Sequence, residues 1–292
     1  MSAGAWRVCG QTADEPDIAL SVVGTGECLV FLHGLGSTRE SWSDQIEFFA
    51  NRYCAIAWDA RGYGDSGDVA GERNFAVDFA SDLARILDRL GVQRAHLVGL
   101  SMGGIIAQCF YHQHPDRVAT LTLADTFESF PTLGEAAVAG FLKARLQPLI
   151  EGATPADLAP GAVNALLAPG ANPHARARLL HTLSTLRSDP YQRTLLAMAH
   201  QHALGPLSAI GVPTLVLTGE LDRLAPVAIA QAIAAGIAGS QLSILPGIGH
   251  LTNLEDPAAF NATLAQFLNR HAGLADTLSV NALASRLSVR PL

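Results

Sequence analysis

A chain of 292 residues, 49% hydrophobic and 15% charged, has ample apolar surface for one large core or a core with an insertion, and too much for extended disorder. The net charge of −7, with no lysine/arginine cluster, gives no electrostatic track for nucleic acid. The first residues, MSAGAWRVCGQTADEP, lack the apolar run of a secretion signal, and no uncharged run reaches the roughly 18–20 residues that cross a bilayer, so a cytoplasmic protein with no membrane partner is expected.

Short β-rich apolar runs predict strands at 18–23, 28–32, 55–58, 95–100, 120–124, 214–218 and 241–245. The first, ahead of the Gly24-Thr25-Gly26 turn, is expected as an antiparallel edge element. Between the third and fourth, Phe75, Phe79, Leu83, Leu87 and Leu90 share one helical face, and Asp78, Asp82, Arg85 and Asp88 take the other. Gly91 stops that helix. Apolar strands separated by helices imply a parallel sheet covered on both faces.

The alternation fails over 128–206, which has helical fragments and no convincing strand. The expected organisation is a core of 1–127 and 207–270, a helical cap of 128–206 and a C-terminal tail of 271–292. The tail could pack on the core, pair with another subunit or stay loose. No internal repeat is present. The four cysteines, Cys9, Cys28, Cys54 and Cys109, match neither a CxxC pair nor a metal spacing and read as reduced, mostly buried thiols.

The strand at 95–100 runs into Gly99-Leu100-Ser101-Met102-Gly103, and a helix with small residues at its start follows. The G-x-S-x-G spacing has a steric reason. The serine must take strained backbone angles on a tight turn, where side chains at Gly99 or Gly103 would collide. The turn raises the Ser101 hydroxyl above the sheet at a helix N-terminus, where the dipole and free N–H groups favour negative charge. Ser101 is the candidate nucleophile.

An oxyanion intermediate needs two N–H donors already aimed at it. The backbone of Met102 is one candidate. The other is Leu35, in the loop His33-Gly34-Leu35-Gly36, whose glycines let the backbone approach a substrate. His33 itself is expected to brace the loop.

Serine needs a base to act as a nucleophile at neutral pH. Of ten histidines, His96 lies inside a strand, His112 and His114 end the nucleophile helix, and His174, His181, His200 and His202 lie in the helical stretch. His271 belongs to the tail. His250 ends the loop Pro246-Gly247-Ile248-Gly249 after the last strand, at the sheet edge that carries Ser101, and is the candidate base. The orienting acid is expected at Asp222, after the 214–218 strand. Asp125, at a neighbouring strand end, is its rival; Glu220 is expected to face elsewhere.

With Ser101, Asp222 and His250 in this chain order, the sequence resembles the α/β-hydrolase superfamily from about residue 18 to 270. The stretch Asp59-Ala60-Arg61-Gly62-Tyr63-Gly64-Asp65-Ser66 matches that family's D-x-R-G-x-G-x-S loop, in which Asp59 and Arg61 are expected to brace the turn. The resemblance implies an α/β-hydrolase fold, a mostly parallel sheet covered by helices on both faces, with an inserted helical cap. HGLGSTRESW, SMGG and GELD…GIGH are most similar to 3-oxoadipate enol-lactonase-type serine hydrolases of aromatic catabolism. The meta-cleavage C–C hydrolases resemble it with the same triad, but their oxyanion loop usually carries a Gly-Pro-Gly element that His33-Gly34-Leu35-Gly36 lacks.

The resemblance implies hydrolysis of a small carboxylic ester or lactone through an acyl-enzyme at Ser101, with no cofactor and no metal. A serine nucleophile sets aside the aspartate-dependent haloalkane dehalogenases and epoxide hydrolases. C–C bond hydrolysis, cofactor-free perhydrolysis and a non-enzymatic ligand receptor of the same fold remain as alternatives. Trp42 and Phe127 are candidate pocket walls, and Arg145, with Arg187 and Arg193 behind it, is the candidate partner for a substrate carboxylate. The sequence leaves open whether the chain forms a homo-oligomer.

Overall fold

Nine strands form one sheet in the computed structural model, which describes residues 4–279. In chain order they are β1 (Gly4–Val8), β2 (Ile18–Val23), β3 (Thr25–Leu32), β4 (Tyr53–Trp58), β5 (Ala95–Leu100), β6 (Val118–Ala124), β7 (Thr214–Gly219), β8 (Gln241–Leu245) and β9 (Thr277–Ser279). Across the sheet the order is β1-β2-β4-β3-β5-β6-β7-β8, with every pair from β4 to β8 parallel. All seven expected strands are present.

One expectation is corrected at the sheet's end. β2 is antiparallel to β4, but β1 pairs outside it, from Gly4 opposite Val22 to Val8 opposite Ile18, so β2 is not the edge. β1 escapes the eye because Arg7 interrupts the short apolar run between the buried Trp6 and Val8.

Helices α1 (Ser43–Phe49), α2 (Phe75–Leu90) and α3 (Met102–Gln113) fill the connections up to β6. Between β6 and β7 the chain runs through α4 (Glu135–Arg145), α5 (Gln147–Ile150), α6 (Pro155–Leu166), α7 (Pro173–Ser184) and α8 (Ser188–Ala199), with no strand among the described residues. α9 (Val227–Gly236), α10 (Thr252–Glu255) and α11 (Pro257–Asn269) follow. Successive strand residues point to opposite faces, and both faces are covered. Val30, Ile56, Leu97 and Leu121 share a core with Phe79 and Leu83 of α2 and Phe110 of α3. Leu29, Phe31, Ala55 and Val98 share another with Phe49 of α1 and Phe260 and Leu264 of α11.

α2 buries the apolar stripe read from its sequence, and Gly91 ends it in the left-handed region (φ 68°). Asp82 is a correction. It is only 1% exposed, because Arg61 of the 59–66 loop grips its two oxygens at 2.6 and 2.9 Å and Arg85 adds a contact at 3.0 Å. A bidentate guanidinium–carboxylate pair lets two charges share a buried site. Arg61 thus pins its loop to α2, while the Asp59 carboxylate accepts the amide of Asp65 within the turn and that of Arg39 from the segment after β3.

The first part of the tail packs on the core. β9 pairs antiparallel with the start of β3, Leu278 is buried, and Glu27 accepts the amides of Gly273 and Ala275. Residues 280–292 of the expected tail lie outside the described residues. No helix of the described residues is long and apolar enough to cross a membrane.

Candidate active site

Ser101 sits between β5 and α3 with φ 54° and ψ −117°, a conformation that only a tightly determined turn imposes on a residue with a side chain. The flanking glycines make it possible. A Cβ on Gly99 would overlap the Gly103 carbonyl, and one on Gly103 would overlap the Leu32 carbonyl of β3. The Thr126 hydroxyl donates to the Ser101 carbonyl at 2.6 Å and fixes the turn from the β6 side.

The geometry brings three distant residues together. Ser101 Oγ lies 2.9 Å from His250 Nε2, and His250 Nδ1 lies 2.7 Å from Asp222 Oδ2. The neutral ring therefore carries its proton on Nδ1, donated to the carboxylate, and offers Nε2 to the serine hydroxyl. The other Asp222 oxygen accepts the amides of Leu224 and Ala225 at 2.8 and 2.9 Å, which locks the carboxylate plane. The backbone N–H of His250 donates to the carbonyl of Leu166, the last residue of α6, at 2.8 Å.

Burial acts on this chain from both ends. It pushes the His250 imidazole down, but the Asp222 carboxylate outweighs it and holds the ring above its ordinary pKa. Burial likewise raises Asp222, and the charge and hydrogen bond of His250 outweigh that and hold the carboxyl below its ordinary range.

Asp125, the rival acid, does not hydrogen-bond the histidine. It follows β6 with φ 47°, accepts Gly219 N–H through one oxygen at 3.1 Å and receives Thr252 N–H and hydroxyl at the other. Burial, and then the negative charge of Asp222, push its carboxyl up to about 8. Glu220 faces away and accepts Gly247 N–H at the surface.

The loop after β3 lies against the serine: a Cβ on Gly34 would stand 3.3 Å from Ser101 Cβ. Neither Leu35 N–H nor Met102 N–H donates to any group of the described residues. His33 is fully buried and accepts Ala60 N–H at Nε2 (3.0 Å), leaving Nδ1–H for the Gly34 carbonyl. Burial lowers its pKa to about 4, so it stays neutral and braces the loop.

Comparison with known proteins fits this geometry. A family model described as the alpha/beta hydrolase fold matches residues 27–257. The chain belongs to the α/β-hydrolase family. Among curated relatives of this α/β-hydrolase, 3-oxoadipate enol-lactonase 2 of Acinetobacter baylyi is 30% identical over 89% of this chain and 96% of its own. A 2-hydroxy-6-oxononadienedioate/2-hydroxy-6-oxononatrienedioate hydrolase of Paraburkholderia phymatum is 29% identical over 84% of this chain and 88% of its own. Among solved structures, a thermophilic esterase from Thermogutta terrifontis superposes with a TM-score of 0.81 at 26% identity, over 93% of this chain and 99% of that one.

Of the expected pocket residues, Phe127 and Arg145 line the cavity at Ser101 and His250, whose volume is only about 20 Å³. Trp42 does not. It is fully buried in the core, with its ring 5.0 Å from Phe31 and 5.8 Å from Phe260, because the short helical turn before α1 faces the sheet. Arg187 donates to the Ser66 carbonyl and Arg193 pairs with Asp68, so both are spent on the loop above α2. Sequence reading overlooked Phe130 and Phe141 of this α/β-hydrolase. They extend the aromatic wall from Phe127, with ring centroids 5.7 and 4.6 Å apart in turn.

Proposed function

We propose that this chain hydrolyses a carboxylic ester or lactone through an acyl-enzyme. The observation that carries the reading is the continuous hydrogen-bonded chain from Ser101 through His250 to Asp222, at 2.9 and 2.7 Å. Ser101 Oγ attacks the carbonyl carbon while His250 Nε2 takes its proton, and Asp222 holds the ring and stabilises the imidazolium. The negative oxygen that forms is received by the amides of Leu35 and Met102, the latter at the N-terminus of α3. His250 then protonates the leaving oxygen, and a water activated by the same nitrogen releases the acid and restores Ser101.

Arg145 supports an acceptor-bearing substrate. Its guanidinium lies over the Phe141 ring (5.1 Å) and 3.4 Å from Tyr191 Oη, and among the described residues it pairs with no carboxylate. It lines the cavity at Ser101 and His250 and would meet a carboxylate or another strong acceptor on the bound molecule. The similarity to an enol-lactonase favours a lactone; the similarity to a 2-hydroxy-6-oxononadienedioate hydrolase supports C–C bond hydrolysis as a second reading.

The test is turnover of p-nitrophenyl acetate, enol-lactones and ring-fission diketones by the purified protein and by Ser101→Ala. Ester and lactone cleavage, lost by a factor of about 10⁴ or more in the variant, is the expected result. Cleavage of the diketone alone would transfer the assignment to the second reading. Ligand affinity without turnover would make the chain a receptor.

A further inference from the structure

The cavity at Ser101, about 20 Å³, has space for little beyond the reacting group, yet a cleft of about 390 Å³ opens on the far side of Arg145. α4, α6, α7 and α8 supply its walls. Ala159, Leu183 and Tyr191 form a buried floor, with Leu158, Ala162 and Leu186 half-buried above it. Two links join cleft and serine. Arg145 lines both cavities, and a Cβ on Gly36, next to Leu35, would meet Leu183, Leu186 and Tyr191 of the cleft lining.

The cleft's chemistry is one-sided. Its charged members are Arg145 at the inner end and Asp157 at the rim, and the Asp157 carboxylate is already engaged by the Thr154 amide and hydroxyl at the start of α6. Between those ends the lining is alanine, leucine, proline and glycine apart from the Tyr191 ring. Such a surface offers a ligand burial of hydrocarbon and few polar contacts.

We infer that the cleft receives the unbranched apolar chain of the substrate, running outward past Arg145 from the carbonyl held at Ser101. A cleft of about 390 Å³ falls within the size range of small-molecule sites and has room for a medium-length acyl chain. This inference rests on the hydrolysis proposed above. It names the substrate class as a medium-chain ester or lactone. Because burial of one methylene corresponds to a factor of about four, kcat/KM should climb with chain length until the cleft is full.

The experiment measures kcat/KM for p-nitrophenyl acetate, butyrate, hexanoate and octanoate, and reads the octanoate-to-acetate ratio within each protein, which cancels losses common to both esters. The native chain should give a ratio of at least about tenfold. Ala162→Trp, which fills the cleft, and Leu158→Gln, which makes its wall polar, should each reduce that ratio about tenfold. Calorimetric titration with octanoate and acetate provides a readout independent of turnover, with octanoate bound more tightly and Ala162→Trp removing the difference. Esters cleaved with a flat chain-length profile, or a ratio unmoved in both folded variants, would overturn the cleft assignment and leave the hydrolysis standing. Octanoate bound without any ester turned over would do the reverse.

Discussion

Asp125 and Asp222 leave the ends of adjacent strands, β6 and β7, yet only Asp222 hydrogen-bonds His250. Asp125 instead ties Gly219, three residues before Asp222, to Thr252, two residues after His250. Two buried carboxylates beside one imidazole cannot both ionise cheaply, and the proton stays on the one without the imidazole hydrogen bond. Asp125→Asn therefore keeps the side chain's shape and removes a carboxyl that burial and the Asp222 charge hold above its ordinary range and that makes no bond to His250. We expect it to keep kcat/KM within about tenfold of the native chain, whereas Asp222→Asn loses about 10⁴, the size seen when a triad acid is neutralised. Equal losses in the two variants would return Asp125 to the role of orienting acid.

The raised pKa of His250 sets the acid limb of activity. The base must be neutral, so holding its pKa above the ordinary 6.5 moves the onset of activity to higher pH. The pH–kcat/KM profile of the native chain should rise with an apparent pKa above 6.5. Residual activity of Asp222→Asn should rise at lower pH, since the largest influence opposing burial is then gone and only the weaker one of Asp125 remains. A limb that stays in place would mean that another group controls it.

Asp125 also has a thermodynamic signature. Its folded pKa of about 8 lies above the ordinary 3.8, so the stability it lends is full below pH 3.8 and declines as pH rises toward 8. Asp125→Asn removes that decline. The Tm difference between variant and native chain should shift in the variant's favour from pH 4 to 8 and level off above. A difference independent of pH would show that the carboxyl is ionised throughout.

Thiol chemistry offers a simple check on the core. Cys28, Cys54 and Cys109 are buried, and burial pushes Cys54 and Cys109 up to about 12 and Cys28 well above the ordinary thiol value, while Cys9 is half-buried. Thiolate is the reactive form. Ellman's reagent at pH 8 should titrate one thiol quickly, lost in Cys9→Ser, and the other three only on unfolding.

The close approach of α3 to β3 can be tested at one atom. Gly103→Ala sets a methyl against the Leu32 and His33 carbonyls, and Leu32 is held in β3 by its pairing with β5. Overpacking of this kind costs about 1–3 kcal/mol or more. We expect a Tm lowered by several degrees with activity reduced in parallel, measured by calorimetry and ester turnover.

The parallel strands were legible because residues buried on both faces leave unbroken apolar runs, and Gly99 and Gly103 because a strained serine tolerates no neighbouring Cβ. Side-chain direction was the part hidden from the sequence. Trp42 and Phe127 are equally apolar, and only the tertiary fold sends one into the core and the other to the cavity wall. Asp82 has the spacing of a solvated residue, and its burial depends on Arg61, 21 positions away. Strand order alone favours Asp222 over Asp125; the hydrogen bond that separates them needs the loops in three dimensions.

The contact between His250 N–H and the Leu166 carbonyl makes the helices between β6 and β7 more than a roof. The backbone that carries the imidazole is tied to the last residue of α6, so exchanging or trimming that segment to alter what is bound also disturbs how the proton is carried. Grafts between relatives that respect this mooring should keep turnover while changing selectivity; those that sever it forfeit both.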